Sequence, residues 1–407
     1  FSSLGYKTKE LSINGNTSQL DVTMEQDALN LDEAVVTAIG ISKEKKSLGY
    51  AVQEVSGNAL TKAGTTNVIN DISGKIAGVQ ITSSAGTPGA SSTIIIRGNT
   101  SISGDNQPLI VIDGVPYDNS MSYSGDPNNG ANNLLDGVAY SNRAIDLNPD
   151  DIESMTVLKG PAAAALYGTR ASHGVIVVTT KKGTRGEGAG IHATYTTTMN
   201  MDKVNKLPEL QNTYSQGYNG IYYGPLSGKS GRKFSWGAQI DTAHDATGKA
   251  LSTYDNAGTF FQTGNTYENA ISLTGGSNTS SFYMSVSNLN QGGIVPNSSF
   301  DRTSLRLTGE SSLSQKFQAS SSVNYTKSGG TRIQQGSNTS GLMLGLLRTP
   351  PTFDNSNGTT DPTDKAAYEN ADGTQRNYRG GVGYDNPYWT INKNPFTDDV
   401  NRVNGYA

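Results

Sequence analysis

Pro108-Leu109-Ile110-Val111-Ile112-Asp113-Gly114-Val115-Pro116 carries a continuous apolar run, mostly β-branched, straight into an Asp-Gly pair and a proline. Such a run suits a strand buried on both faces, and Asp113-Gly114 offers the permissive dihedrals of a tight β-turn. Pro116 then prevents simple helix continuation. The turn is expected to deliver Tyr117, and the Asn-, Gly-, Ser- and Asp-rich stretch up to Arg143, to one end of a sheet. Whether it serves as a scaffold turn or presents a ligand-binding loop stays open from these residues alone.

Outward from this core, further strands are expected at Val79–Ser83, Thr93–Arg97, Met155–Leu158 and Val175–Thr180, with short helices at Val68–Ile76 and Ala162–Tyr167. Together they make residues 51–186 a compact mixed α/β unit. Upstream, 1–27 reads as two strands, Gly5–Ile13 and Leu20–Met24, and 28–50 as an extended connector ending in Lys43, Glu44, Lys45 and Lys46. The opening residues do not have the pattern of a signal peptide, so a preceding segment is expected.

From residue 187 to 407 the texture changes. Segments such as 303-TSLRLTGESSL and 316-KFQASSSVNYTKS alternate: Leu305 and Leu307 share a face with Thr303, Ser304 and Arg306 take the other, and Phe317, Ala319, Val323 and Tyr325 line up together. This is the dyad of a barrel wall with its apolar face outward, although a soluble antiparallel sheet has the same period. Residues 329–407 read as mostly turn-like, a long loop between strands or a mobile terminus.

Composition narrows the chemistry. Only 34% of the 407 residues are hydrophobic, Gly reaches 48, there is no cysteine, and 31 basic residues face 35 acidic ones. That favours strands with one polar face, excludes a disulfide or thiolate site, and gives no basic excess for nucleic acid. The scattered His173, His192 and His244 nominate no metal, and no acid–base pair or nucleophilic triad emerges. Asp150, Asp151 and Glu153, behind Asn148-Pro149, fit an N-cap and first helical turn. Arg97-Gly98, where a strand ends, places a guanidinium that must find acceptors, read as a bond between this unit and the wall around it. No catalytic residue, metal or cofactor is expected.

An ordered series of motifs adds a family. GKIAGVQI (74–81), GTPG (86–89), IIRG (95–98), PLIVIDGVP (108–116), LNPDDIESM (147–155), VLKG (157–160), AAALYG (163–168) and GVIVVTTKKG (174–183) together resemble the plug domain of the SusC/RagA family of TonB-linked outer-membrane transporters. Leu31, Asp32, Glu33, Ala34, Val35, Val36, Thr37, Ala38 and Ile39 look like that family's TonB box, and 1–27 resembles the end of the carboxypeptidase-regulatory-like β domain before it. Gly292-Gly293-Ile294 with Arg302 is similar, less specifically, to the early barrel hairpins.

The resemblance implies a membrane β-barrel, antiparallel, with an N-terminal mixed α/β plug. A plug of this size needs a lumen closer to the 22-stranded class than to eight strands, so the five or six strands nominated after residue 187 cannot close the wall, and more chain is expected past Ala407. It further implies import of an oligosaccharide or peptide across the outer membrane of a Gram-negative bacterium. The partners implied are TonB energised by ExbB/ExbD, a SusD-like surface lipoprotein and outer-membrane lipid. Arg97, Gly98, Asp113, Gly114, Pro116, Lys159, Gly160 and Gly168 fall to plug structure. Tyr117, Asn119, Tyr123, Asn128, Asn129 and Asn132 are candidates for substrate or lid contact.

Overall fold

The computed structural model describes residues 52–62, 64–99, 101–102, 106–121, 137–159, 167–185, 190–314, 316–337, 339–381 and 383–407, and the backbone of 34–36 and 42–44. The strands expected within 1–27, and the helix expected from Ala162, lie outside these residues except for Tyr167. Near the start, β1 (Ala34–Val36) pairs antiparallel with β2 (Ser42–Glu44).

The next unit runs β3 (Val52–Ser56), α1 (Gly57–Thr61), α2 (Val68–Asp71), β4 (Val79–Ser83), β5 (Ser92–Ile96), β6 (Leu109–Ile112), β7 (Val115–Tyr117), β8 (Ile152–Leu158) and β9 (Val175–Thr180). Its main sheet has the order β3-β8-β9-β6-β7, with β6 and β9 parallel and the other neighbours antiparallel; β4 and β5 form a separate hairpin. The apolar runs are continuous because both faces are covered. Ile110, Ile112, Ile176 and Val178 join one buried cluster with Leu60 and Ile69, while Val111, Val175 and Val177 join Leu158 and Ala171 on the other.

Asp113 and Gly114 both take positive φ, 48° and 91°, the dihedral signs of a type I′ turn, and β6 and β7 pair across them as a hairpin. Three boundaries differ from the sequence reading. The helix from Val68 ends at Asp71, short of Gly74 and Gly78, which adopt left-handed φ of 72° and 70°. The strand expected to reach Arg97 stops at Ile96, because Arg97 itself takes φ 59°. The acid-rich stretch makes one 3-10 turn, Pro149–Asp151, capped by the Asn148 side chain accepting from the Asp150 amide at 3.1 Å, and Glu153 already belongs to β8.

The second unit is a single antiparallel sheet of long strands in chain order: β10 (His192–Asp202), then, past the short pair β11 (Gly217–Tyr218) and β12 (Ile221–Tyr222) and helix α3 (Asn256–Phe260), β13 (Gly264–Gly276), β14 (Ser280–Gly292), β15 (Ser299–Ser314) and β16 (Phe317–Ile333). Helices α4 (Leu342–Arg348), α5 (Lys365–Tyr368) and α6 (Pro387–Lys393) precede the last strand, β17 (Pro395–Tyr406). Residues 334–394 are thus the expected long excursion between strands, with three short helices within it, and the segment after it forms a wall strand. Phe260, Leu342, Leu346, Tyr368, Tyr388 and Ile391 form a small core beyond the strand ends. The Asn386 amide ties that layer together by donating to the carbonyls of Asn355, Ala367 and Arg376 at 3.2, 3.0 and 2.9 Å.

Candidate functional site

The long sheet is inside out for a soluble protein. Tyr195, Ile271, Val286, Leu305, Tyr325 and Val403 are successive register partners across all six strands, and they are 37% to 70% exposed. The opposite face is polar and buried: Arg302, Ser304, Arg306 and Thr308 on β15, and Ser322, Asn324, Thr326 and Ser328 on β16. An apolar outer band over a polar interior is what a bilayer-facing barrel wall requires. The β13–β14 and β15–β16 connections are tight, whereas β10–β13 and β16–β17 carry long excursions at the other end. Barrel convention makes the long-loop end extracellular.

The plug packs against the polar face, and β15 and β16 grip it with arginines. Arg302 donates to the carbonyls of Ile145 and Leu147 at 2.8 and 2.9 Å and to Glu268 of β13 at 2.7 Å. Arg306 reaches the Asp113 carboxylate at 2.9 Å and the Thr180 hydroxyl, and that carboxylate also accepts from the Thr180 amide at 2.9 Å. Arg332 joins Asp398 of β17 to the Ser141 hydroxyl of the plug. Ser328 donates to Asp146 at 2.5 Å, and the Arg402 guanidinium stacks 3.8 Å from the Tyr117 ring centre. Space is tight here: a Cβ on Gly89 would come within 2.6 Å of the Phe300 ring. Buried guanidiniums are tolerable because carbonyls and carboxylates compensate them, so losing one side of a pair is costly.

Arg97 is exposed and makes no bond to this part of the wall among the described residues; the arginines that join plug and wall here project from the wall. The Arg306 face was legible from alternation, but its partner lies 193 residues earlier in the chain. Gly98 sits at φ 89° just past β5, and Gly168 at φ 76° caps the 3-10 turn Thr169–Ala171. Pro116 lies on β7, the edge of the plug sheet, where a missing amide is tolerated. The Lys159 ammonium donates to the Gln53 side chain at 3.0 Å, bridging β8 and β3, and burial, aided by Arg97, lowers its pKa. Gly160 lies outside the described residues.

The loop candidates divide. Tyr117 is buried, with its hydroxyl donating to the Arg143 carbonyl at 3.0 Å, and burial pushes its pKa up. Asn119 accepts from the Ala144 amide at 2.8 Å. Both hold the loop base, and both also line a cavity of about 800 Å³ together with Asp118, Ser120 and Met121. Tyr123, Asn128, Asn129 and Asn132 lie outside the described residues. The far end of the loop meets the wall at its long-loop end, where the Gly137 carbonyl accepts from the Gln335 amide at 3.0 Å.

Of the expected TonB box, the backbone of Ala34, Val35 and Val36 is described, and Leu31, Asp32, Glu33, Thr37, Ala38 and Ile39 lie outside the described residues. Val35 stands opposite Lys43. The charged stretch expected as a spacer thus begins as the segment's own partner strand, because main-chain pairing is indifferent to the lysine side chain.

Two cavities separate the plug from the other half of the wall. One, about 680 Å³, lies at the outer end between Thr66, Asn67, Gly86 and Thr87 of the plug and Asn200, Thr266 and Gln291 of the wall. The other, about 580 Å³, lies at the inner end between Lys181, Lys182 and Arg185 and the wall residues Thr194, Ser272 and Tyr283. Between them, burial first and then Glu268 of the wall raise the Asp150 carboxyl, and burial pushes Asp71 to about 6 against the opposing Thr65 hydroxyl bond. Among the described residues no cluster of His, Asp and Glu suits a metal ion. The arrangement can bind and hold; among the described residues no acid–base or nucleophilic set is assembled.

A family model described as TonB-dependent Receptor Plug Domain matches residues 44–175. The TonB-dependent receptor SusC of Bacteroides thetaiotaomicron is 30% identical over 398 residues, covering 96% of this chain and 34% of SusC. TonB-dependent receptor P26 of Formosa agariphila is 34% identical over 334 residues, covering 80% and 29%. Among solved structures, the RagAB peptide importer in its open-open state matches 92% of this chain and 40% of that one, with a TM-score of 0.60 at 21% identity, a likeness of fold. The chain spans about a third of the length of these curated relatives.

Proposed function

The chain belongs to the SusC/RagA family of TonB-dependent receptors, plug followed by barrel strands, and from that premise we propose that it serves energy-driven import of a nutrient across the outer membrane. The observation that carries the reading is the inverted wall, with an exposed apolar row from Tyr195 to Val403 outside and buried Arg302 and Arg306 gripping a plug inside. A plug held by that many buried polar bonds closes a pore at rest. Opening it takes work, for which a strand-addition contact between the inner-membrane partner TonB, driven by ExbB/ExbD, and residues 31–39 is the route.

The wall completes a barrel of the plugged, 22-stranded size class, embedded in outer-membrane lipid. A SusD-like surface lipoprotein caps the long-loop end and helps capture the ligand, an oligosaccharide or a peptide. The structurally similar RagAB is a peptide importer, which supports including peptides. The protein acts as a transporter and not as an enzyme. Cells lacking it should lose uptake of a labelled oligosaccharide or peptide and regain it on complementation, with the protein in the outer-membrane fraction. Recovery of the full-length protein solely in the aqueous periplasmic fraction overturns the reading.

A further inference from the structure

The plug is not held evenly. Toward β15, β16 and β17 it meets Arg302, Arg306, Arg332 and Arg402, and the cavity left beside Arg306 and Tyr117 measures only about 100 Å³. Toward β10 Asn200 donates to the Gly64 carbonyl at 2.9 Å, and β14 adds the Tyr283 hydroxyl on Asp151 at 2.9 Å, Gln291 accepting from Thr66 at 3.2 Å and Ser281 accepting from the Arg185 guanidinium at 3.4 Å. Apart from the long Arg185 contact these are bonds of uncharged donors, without the short buried guanidinium pairs of the other side. Cavities of about 680 Å³ outside and about 580 Å³ inside border these same strands, the inner one also reaching Glu310 of β15, while a third of about 800 Å³ lies at the β6–β7 edge and is lined by plug residues.

We propose that the solute path opens along one side of the plug, between it and β10, β13 and β14, by joining the two cavities, while the arginine-held side stays docked as the fulcrum. The outer cavity is lined mainly by hydroxyls and amides and the inner one also by Glu153, Lys181, Lys182, Arg185 and Glu310, so the path suits a hydrogen-bonding, polar solute. The direction of force fits. β3, the first plug strand after the coupling segment, is the sheet edge remote from the β6–β7 hairpin that Arg306 and Arg402 anchor. The inference rests on the import reading, and it adds which side moves.

The chain has no cysteine, so single thiols can be read without background. Thr198→Cys and Thr326→Cys, both lumen-facing threonine replacements, are expressed in the full-length receptor in energised cells and probed with biotin maleimide. Thr198→Cys should label at least tenfold faster than in cells whose receptor also lacks residues 32–39, and Thr326→Cys should label at the same slow rate in both. Equal acceleration at both sites, acceleration at Thr326→Cys alone, or none at Thr198→Cys overturns the one-sided path. Nutrient uptake by the same strains separates the two claims. If deleting 32–39 stops uptake while Thr198→Cys labelling is unchanged, the path assignment fails and the import reading stands; if uptake itself never depended on the segment, the import reading fails.

Discussion

Arg306 joins Asp113 and Thr180 in one buried set, and removing a single partner of such a set strands the other charge. Arg306→Ala should weaken plug docking by about 3–5 kcal/mol while leaving the outward face of β15 unaltered. The measurement is protease cleavage of the plug in outer-membrane vesicles, faster in Arg306→Ala and partly restored when Asp113→Ala is added, because the stranded carboxylate is then gone. Unchanged cleavage removes the latch role. Asp71 makes a different forecast. Its carboxyl accepts from the Thr65 hydroxyl at 2.7 Å, its other oxygen is buried without a partner, and burial raises its pKa to about 6. A raised carboxylate pKa means that the folded plug holds the proton more tightly than the unfolded chain does. The stabilisation is complete below about pH 4 and is lost as pH rises through about 6. Asp71→Asn, which cannot ionise, should melt closer to wild type at pH 4.5 and above it at pH 7.5. A melting difference independent of pH rejects the shifted carboxyl.

Strands with two covered faces were legible as β-branched runs, and β6 and β9 fall where the sequence places them. β3 and α1 were not, since VQEVS and GNALT are short, mixed in polarity and take their shape from pairing with β8. β17 was hidden for a related reason: its outward positions carry Thr397, Asp399 and Asn401 before Val403, so the dyad has almost no apolar signal. The same period fits a soluble sheet, and burial separates the two. Leu305, near the middle of β15, is exposed between exposed neighbours, so Leu305→Arg should destabilise a membrane wall by about 2–4 kcal/mol. On a water-facing sheet the same change stays within about 0.5 kcal/mol. Heat-modifiable gel mobility of the full-length protein reads folded barrel directly, and an undiminished folded band for Leu305→Arg counts against the lipid-facing assignment.

At the scale of the whole molecule, the division into coupling segment, plug and wall came from ordered motifs and a change of period, while the plug's attachment did not, because its partners are far apart in sequence and no local pattern encodes them. That separation sets up the last prediction. Residues 32–39 precede the plug core, and the backbone of Ala34–Val36 pairs with Ser42–Glu44. Deleting Asp32–Ile39 should therefore abolish uptake while barrel abundance and ligand binding at the outer side stay within about twofold, the behaviour of a terminal element outside the cooperative core. Pairing by main chain makes the backbone matter more than the side chain, so Val35→Ala should be milder than Val35→Pro, which removes a donor and restricts Ala34. If the segment were instead a permanent structural edge, its loss would expose β2 and lower the amount of folded barrel. Abundance, affinity and uptake measured on one strain separate these outcomes: an abundant barrel that binds but does not import supports coupling, a scarce barrel supports the structural edge, and an abundant barrel that still imports defeats the coupling assignment.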